Sequence, residues 1–190
     1  MAKKLESTFP NMVIVLSAIS IVAAFALGFT YTQTKDAIAK MQEKKQIDAI
    51  KEVVAEFDND PSKEKYTVPG LDGVEFYPAK KGGQLVGTAV KTFTDKGYGG
   101  RIDIMIGFNE KMDFFNYVIL EHKETPGLGT KLKENKFKDQ FKGKNPDTFK
   151  LQVKKDGGDV DAITAATISS RAFLDAAQKA VDGIKKGGAK

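Results

Sequence analysis

The sequence predicts an α+β fold: a single N-terminal transmembrane helix, a stalk helix, and a compact domain of antiparallel sheet with flanking helices. Three patterns lead there. Residues 12–29 carry no charge, residues 101–108 alternate with a period of two, and residues 169–185 repeat apolar side chains at helical spacing.

The uncharged run comes first. Extended through Tyr31 it makes a helix of roughly 30 Å, the thickness of a bilayer core. Its apolar residues lie on all sides rather than in one stripe, and Tyr31 stands where an interfacial aromatic belongs. Residues 12–31 are therefore expected to span a membrane. The competing reading is a cleaved signal peptide processed at Ala24-Phe25-Ala26, but the run exceeds the roughly 7–15 residues of a signal core. Lys3, Lys4 and the amino terminus precede it, opposed by Glu6, while Lys35, Lys40, Lys44 and Lys45 follow. Long domains are translocated largely regardless of charge, which leaves the short basic N-terminus to set the topology. The expected organisation is a cytoplasmic tip and anchor over residues 1–32, and an extracytoplasmic (periplasmic) stalk and domain over residues 33–190. This describes a single-pass protein of the cell (inner) membrane.

From about residue 34 to 57, Ile38, Met41, Ile47, Ile50, Val53, Val54 and Phe57 recur at helical intervals, and Asn59-Asp60-Pro61 closes the stalk. The stretch to Lys81 is turn-rich, with Pro69-Gly70 and Asp72-Gly73 separating short possible strands. Firmer strands are expected at residues 85–93, 101–108 and 114–121, the last two joined by a hairpin turn at Asn109-Glu110-Lys111. In the second, Ile102, Ile104, Ile106 and Phe108 alternate with Asp103, Met105 and Gly107. A Lys-rich helix near residues 132–141, a strand near 149–153 and a final helix near 169–185 complete the reading.

Composition excludes several chemistries. The chain has no cysteine, so it cannot form disulfides, zinc fingers, cysteine-ligated clusters or a cysteine nucleophile. A lone histidine, His122, removes any His-pair metal site, and no metal is expected. The formal charge of +5, from 30 basic and 25 acidic residues, is mild and interleaved, with Arg present only as Arg101 and Arg171. Nucleic acid is not an expected partner. Electron chemistry would need a borrowed organic cofactor.

Three short segments are candidates for a site. Gly97-Tyr98-Gly99-Gly100 lies between two strands, where a glycine cluster also makes an ordinary hairpin turn. Glu124-Thr125-Pro126-Gly127-Leu128-Gly129-Thr130-Lys131 forms a sharp loop whose backbone can approach a flat ligand, with Leu128 between two glycines. Asp161-Ala162-Ile163-Thr164-Ala165-Ala166-Thr167-Ile168-Ser169-Ser170 opens the last helix, where hydroxyls serve as caps or a phosphate meets free N–H groups.

Thr164-Ala165-Ala166-Thr167 resembles the Ser/Thr-Gly-Ala-Thr motif of FMN-binding domains, in which the last threonine carries FMN through a phosphoester bond; Ala165 stands where that pattern most often has glycine. The glycine segment and His122-Lys123-Glu124-Thr125-Pro126-Gly127-Leu128-Gly129 resemble the same family's flavin-contacting loops, in the same order. With the N-terminal span, the chain is similar to the G-subunit family of Rnf ion-translocating electron-transport complexes, related to the C subunit of the sodium-pumping NADH:quinone oxidoreductase. The similarity covers nearly everything from Lys35 onward.

Carried over by position, the resemblance implies covalent FMN on Thr167. Thr164 and the backbone around Ala166 would hold the phosphate, with Ala165 and Ile168 in the same cofactor-binding segment and Ser169 or Ser170 capping the helix. Tyr98, Gly99 and Gly100 would contact the flavin. Glu124, Thr125, Pro126, Gly127, Leu128, Gly129 and Thr130 would line the isoalloxazine, with Leu128 against its face. Lys131 would neutralise phosphate, stabilise reduced flavin, or simply be solvated. The resemblance further implies a flavin transferase that uses FAD as donor and recognises Asp161, and other membrane subunits of an Rnf-type complex as partners. The function it implies is a one-electron relay in an ion-translocating ferredoxin:NAD⁺ oxidoreductase, with no catalytic acid or base and no independent turnover. The alternatives are a component like the C subunit of the sodium-pumping enzyme, an extracytoplasmic flavin reductase, or an assembly module of the same fold without flavin.

Overall fold

The computed structural model describes residues 8–187. Lys3, Lys4 and Glu6, on which the topology argument rests, lie outside the described residues. The chain divides into two compact units, Met1–Lys44 and Lys45–Lys190. Both share helix α1, Phe9–Val53, whose 45 residues run without a break. It is long and apolar enough to cross a bilayer, and none of its apolar window is buried by protein. The hydroxyls of Ser20, Thr30 and Thr34 donate to carbonyls four residues earlier at 2.8 Å, which satisfies them within the helix. The expected stalk is thus a continuation of the anchor rather than a separate helix. It ends at Val53, not at Phe57, because the chain turns to lie along the sheet, where the Asp58 N–H donates to Lys80 O at 2.9 Å.

The second unit is built on a four-stranded antiparallel meander in the order β1 (Glu75–Lys81), β2 (Gln84–Gly97), β3 (Gly100–Asn109) and β4 (Phe114–His122). The three strands expected from alternation are present. β1 is a full strand where only fragments were expected. It carries Pro78, which a strand tolerates at a sheet edge because no ladder N–H is needed there.

Both faces of the sheet are covered. On one, Phe76, Val90, Ile102, Ile104, Ile106 and Phe108 pack with the final helix α3, Thr167–Gly187, through Phe173, Ala176, Ala177, Ala180 and Val181. On the other, Tyr77, Ala79, Ala89 and Met105 pack with Ala49, Ile50, Val53 and Val54 at the end of α1. The period of two in β3 therefore separates two buried faces rather than a buried and a wet one. Gly107 marks the closest approach: a Cβ there would lie 1.5 Å from Val53 O.

The Lys-rich segment does not form the single helix expected over residues 132–141. It folds as a 3-10 turn, Gly129–Lys133, then one turn of helix α2, Asn135–Lys138, with Glu134 extended between them (φ −76°, ψ 143°). Leu132, Phe137 and Phe141 must all reach the core, and a five-residue step from Leu132 to Phe137 would place them on different sides of a continuous helix. The break aims both inward. Tyr117 OH donates to Leu132 O at 2.5 Å, and Phe141 and Tyr117 pack on Phe173 with centroids 5.0 and 4.3 Å away. Nor do residues 149–153 form a strand. Leu151 and Val153 are buried, but the backbone makes only an isolated parallel bridge, Val153 to Val160.

Candidate functional site

All three candidate segments meet at one carboxylate. Glu124 is only 5% exposed, although it lies in the loop two residues past the end of β4. Its Oε1 accepts the Gly99 N–H at 2.9 Å, and its Oε2 accepts the hydroxyl of Ser169 in the first turn of α3. The contact is close enough to require glycine at position 129, where a Cβ would stand 2.2 Å from Glu124 Oε2 and 2.8 Å from Ser169 Oγ. The Glu124 N–H in turn donates to His122 Nδ1 at 3.2 Å. Burial, then the nearby Lys133, hold the His122 pKa below its ordinary value, with Glu124 partly opposing them. A neutral imidazole accepting at Nδ1 is a structural group, bracing the start of the loop.

Each segment also presents an apolar side chain to solvent, beside the residue that touches Glu124. Tyr98 precedes Gly99 and is 71% exposed, Leu128 precedes Gly129 at 39%, and Ile168 precedes Ser169 at 50%. Large apolar groups left in water around one anchor mark a surface meant to be covered.

Two similar turns shape the site. In the loop, the Leu128 N–H donates to Thr125 O at 3.2 Å, with Pro126-Gly127 central and Gly127 at φ 75°, the arrangement of a type II turn. Thr130 Oγ1 braces it by accepting the Gly127 N–H at 2.9 Å. Before α3, the Ala166 N–H donates to Ile163 O at 2.9 Å, which places Thr164 and Ala165 at the tip. Ala165 has φ 62°, in the left-handed region that glycine occupies without strain. This is the physical reason a motif of this shape favours glycine at that position.

Neither serine caps α3. Ser169 serves Glu124, while Ser170 Oγ accepts the Ile163 N–H and donates to Ala166 O, both at 3.0 Å. Among the described residues no acceptor meets the N–H groups of Thr167, Ile168 and Ser169, which stand at the positive end of a 21-residue helix. Thr167 is half-buried there and Thr164 is exposed. Beside this turn lies an open pocket of about 440 Å³, bordered by Lys131, Lys136, Gln140, Asp161 and Thr164. Thr167 does not line it. Ile168 borders a second, larger pocket of about 840 Å³ along α3 with Arg171 and Leu174.

Asp161 is exposed and paired with Lys154 at 2.7 Å. Its backbone is held at both ends by Gln140, whose Oε1 accepts the Asp161 N–H at 2.7 Å and whose amide donates to Asp161 O at 3.2 Å. Sequence reading missed Gln140, as it missed that Glu124 and Ser169 are partners. Neither role leaves a local signal, because the contacts span 21 and 45 residues.

Comparison with known proteins identifies the family. Residues 97–182, from the glycine segment into α3, match the FMN-binding domain family. The G subunit of the ion-translocating oxidoreductase complex of Aliivibrio fischeri is 31% identical over 188 residues, covering 92% of this chain and 90% of that one. The chain belongs to this G-subunit family. Its counterpart in Shewanella oneidensis is 33% identical over 162 residues, covering 78% of this chain and 76% of its own. Among solved structures, NqrC of Shewanella oneidensis superimposes with a TM-score of 0.47 at 18% identity, covering 72% of this chain and 67% of that one. The family places the protein in a membrane-associated, ion-translocating oxidoreductase complex, with an FMN-binding domain behind one apolar N-terminal helix.

Proposed function

We propose that this chain is the membrane-anchored flavoprotein subunit of its complex and relays electrons through FMN joined by a phosphoester bond to Thr167. The observation that carries the proposal is the convergence of three segments on Glu124, with exposed apolar side chains above it and unpartnered N–H groups at the start of α3. These residues fit the cofactor. A phosphate needs N–H donors and a positive dipole, which Thr167, Ile168 and Ser169 offer. A flat ring needs apolar faces and close backbone, offered by Tyr98, Leu128 and the Gly127–Gly129 turn. The pocket beside Thr164 lies in the range of about 300–1,000 Å³ usual for small-molecule sites.

When bound, FMN supplies one-electron and two-electron redox chemistry that no side chain here possesses. Thr167 anchors, Thr164 and Lys131 attend the phosphate end, and Leu128 and Tyr98 exclude water from the ring. Thr125, Pro126 and Thr130 hold the loop in shape, with Gly100 completing the hairpin turn. Glu124 acts from below as the clamp that keeps the three parts in register, not as a wall of the site. Asp161, exposed just before the turn, is the recognition point for a flavin transferase that uses FAD. Residues 1–32 form the cytoplasmic tip and anchor, and residues 33–190 face the extracytoplasmic side. The unit has no turnover of its own and exchanges electrons with other membrane subunits of the complex.

The test is coexpression with a flavin transferase, denaturation, and in-gel fluorescence. Wild type and Thr164→Ala are expected to fluoresce and Thr167→Ala to be dark. A dark wild type sinks the covalent cofactor.

A further inference from the structure

Just over half of the basic residues described in the folded unit have an acidic partner; four lysines around the site are among those that do not, as are Lys45, Lys111, Lys155 and Lys186 elsewhere. Lys65, Lys80, Lys91, Lys96, Arg101, Lys154, Arg171, Lys179 and Lys185 each lie within 4.0 Å of a carboxylate. Among the described residues, Lys123, Lys131, Lys133 and Lys136 have none. All four stand close to the site. Lys123 O packs on Gly99, Lys131 and Lys136 border the pocket shared with Thr164, and Lys133 is near enough to His122 to act on its charge.

The charge distribution along the chain repeats the point. From residue 33 onward there are 28 basic and 24 acidic residues; residues 131–144 alone hold six lysines against Glu134 and Asp139, so the whole excess of four falls in that segment. One phosphodiester carries a single negative charge. Together with Glu134 it leaves about two of the four unpaired lysines without a counter-charge, more than cofactor binding requires. Clustered like charges held without partners raise the local potential and steer an oppositely charged body to the surface, typically by 10–10³ in association rate.

We propose that Tyr98 and Leu128, collared by Lys123, Lys131, Lys133 and Lys136, form the docking surface for an electron-transfer protein that presents acidic residues around its redox centre. The inference rests on the flavin reading above, since these lysines border the site from which electrons would leave. It has the anatomy of a transient interface, an apolar centre with a charged rim. The lysines set encounter and orientation, and the two exposed side chains supply the contact that brings the redox centres together.

The test uses the full chain in neutral-lipid nanodiscs and, as probe, a plant-type [2Fe–2S] ferredoxin, a strongly acidic one-electron protein. Fluorescence anisotropy reads binding at about 10 mM ionic strength, where the Debye length is about 30 Å, and at about 150 mM, where it is about 8 Å. Binding is expected at low salt, to fade at high salt, and to weaken about tenfold in Lys133→Glu/Lys136→Glu. Lys155→Glu/Lys186→Glu, an equal charge change at exposed lysines outside the collar, is expected to leave it unchanged. Absence of binding at low salt, or equal weakening in both double variants, overturns the proposal. Protection of Lys133 and Lys136, but not Lys155, from acetic anhydride in anionic-lipid nanodiscs assigns the collar to the membrane surface and also overturns it. Every titration is run beside in-gel fluorescence. A dark chain that binds the probe keeps the docking surface and removes the flavin reading, whereas a fluorescent chain that does not bind removes the docking surface alone.

Discussion

Ser169 Oγ donates a hydrogen bond to Glu124 Oε2 across 45 residues of sequence, and this bond, with the Gly99 N–H on the other oxygen, ties two loops to the first turn of α3. A buried carboxylate with both oxygens engaged is an expensive element to place in a surface loop unless its partners are the point of it.

Removing that carboxylate leaves the half-buried Gly99 N–H and the buried Ser169 hydroxyl without partners. Glu124→Ala is expected to lower stability by about 3 kcal/mol and to abolish stable flavin attachment, whereas Glu124→Gln, which keeps an acceptor for Gly99, loses about 1 kcal/mol and retains partial attachment. Urea denaturation in detergent, with in-gel fluorescence, checks both; equal effects of the two substitutions would remove the clamp.

Ala165 sits at φ 62°, where an L-residue is strained by roughly 1–2 kcal/mol. Ala165→Gly relieves this but gains about 0.4–1 kcal/mol of unfolded-chain entropy, so a net stabilisation of about 0.5–1 kcal/mol is expected. Ala165→Val should destabilise instead. Thermal melts of the three chains decide.

Gly107 admits the end of α1 against β3, with Val53 O where a side chain would be. Gly107→Ala is expected to destabilise by about 3 kcal/mol and to loosen residues 46–53 selectively. Hydrogen exchange would register lost protection in that segment first, with α3 retaining its own.

His122 is held below its ordinary pKa by burial and by Lys133. A depressed folded-state pKa means that the unfolded chain takes up the proton first, so the stabilisation is present above about pH 6.5 and is lost as pH falls through the lower, folded-state value. Protonated Nδ1 would also point a donor at the Glu124 N–H it now accepts. Stability is expected to drop between about pH 7.5 and about pH 5 in wild type and to drop less in His122→Gln, measured by urea midpoints across that range.

Much of the architecture was legible because its signals are local. An uncharged run long enough for a bilayer, alternation in β3, and the apolar face of α3 depend only on periods of 3.6 and 2. Where local signals conflicted, packing decided: Pro78 disguised β1, which survives as a strand because it lies at the sheet edge, and the Leu132 to Phe137 step broke a helix whose composition favoured one. The second face of the sheet was hidden because Met105 and Gly107 read as the outward set until the end of α1 covered them.

The sequence by itself determined which segments matter, since glycine, proline and clustered hydroxyls announce turns and helix starts within a few residues. Only the tertiary structure decided what joins them. Glu124 reads as a surface carboxylate in a polar loop, and nothing near it in the chain indicates burial. Its partners, Gly99 and Ser169, come from the β2–β3 hairpin and the last helix, and a charge is kept out of water only where separate elements close over it and supply hydrogen bonds for both its oxygens.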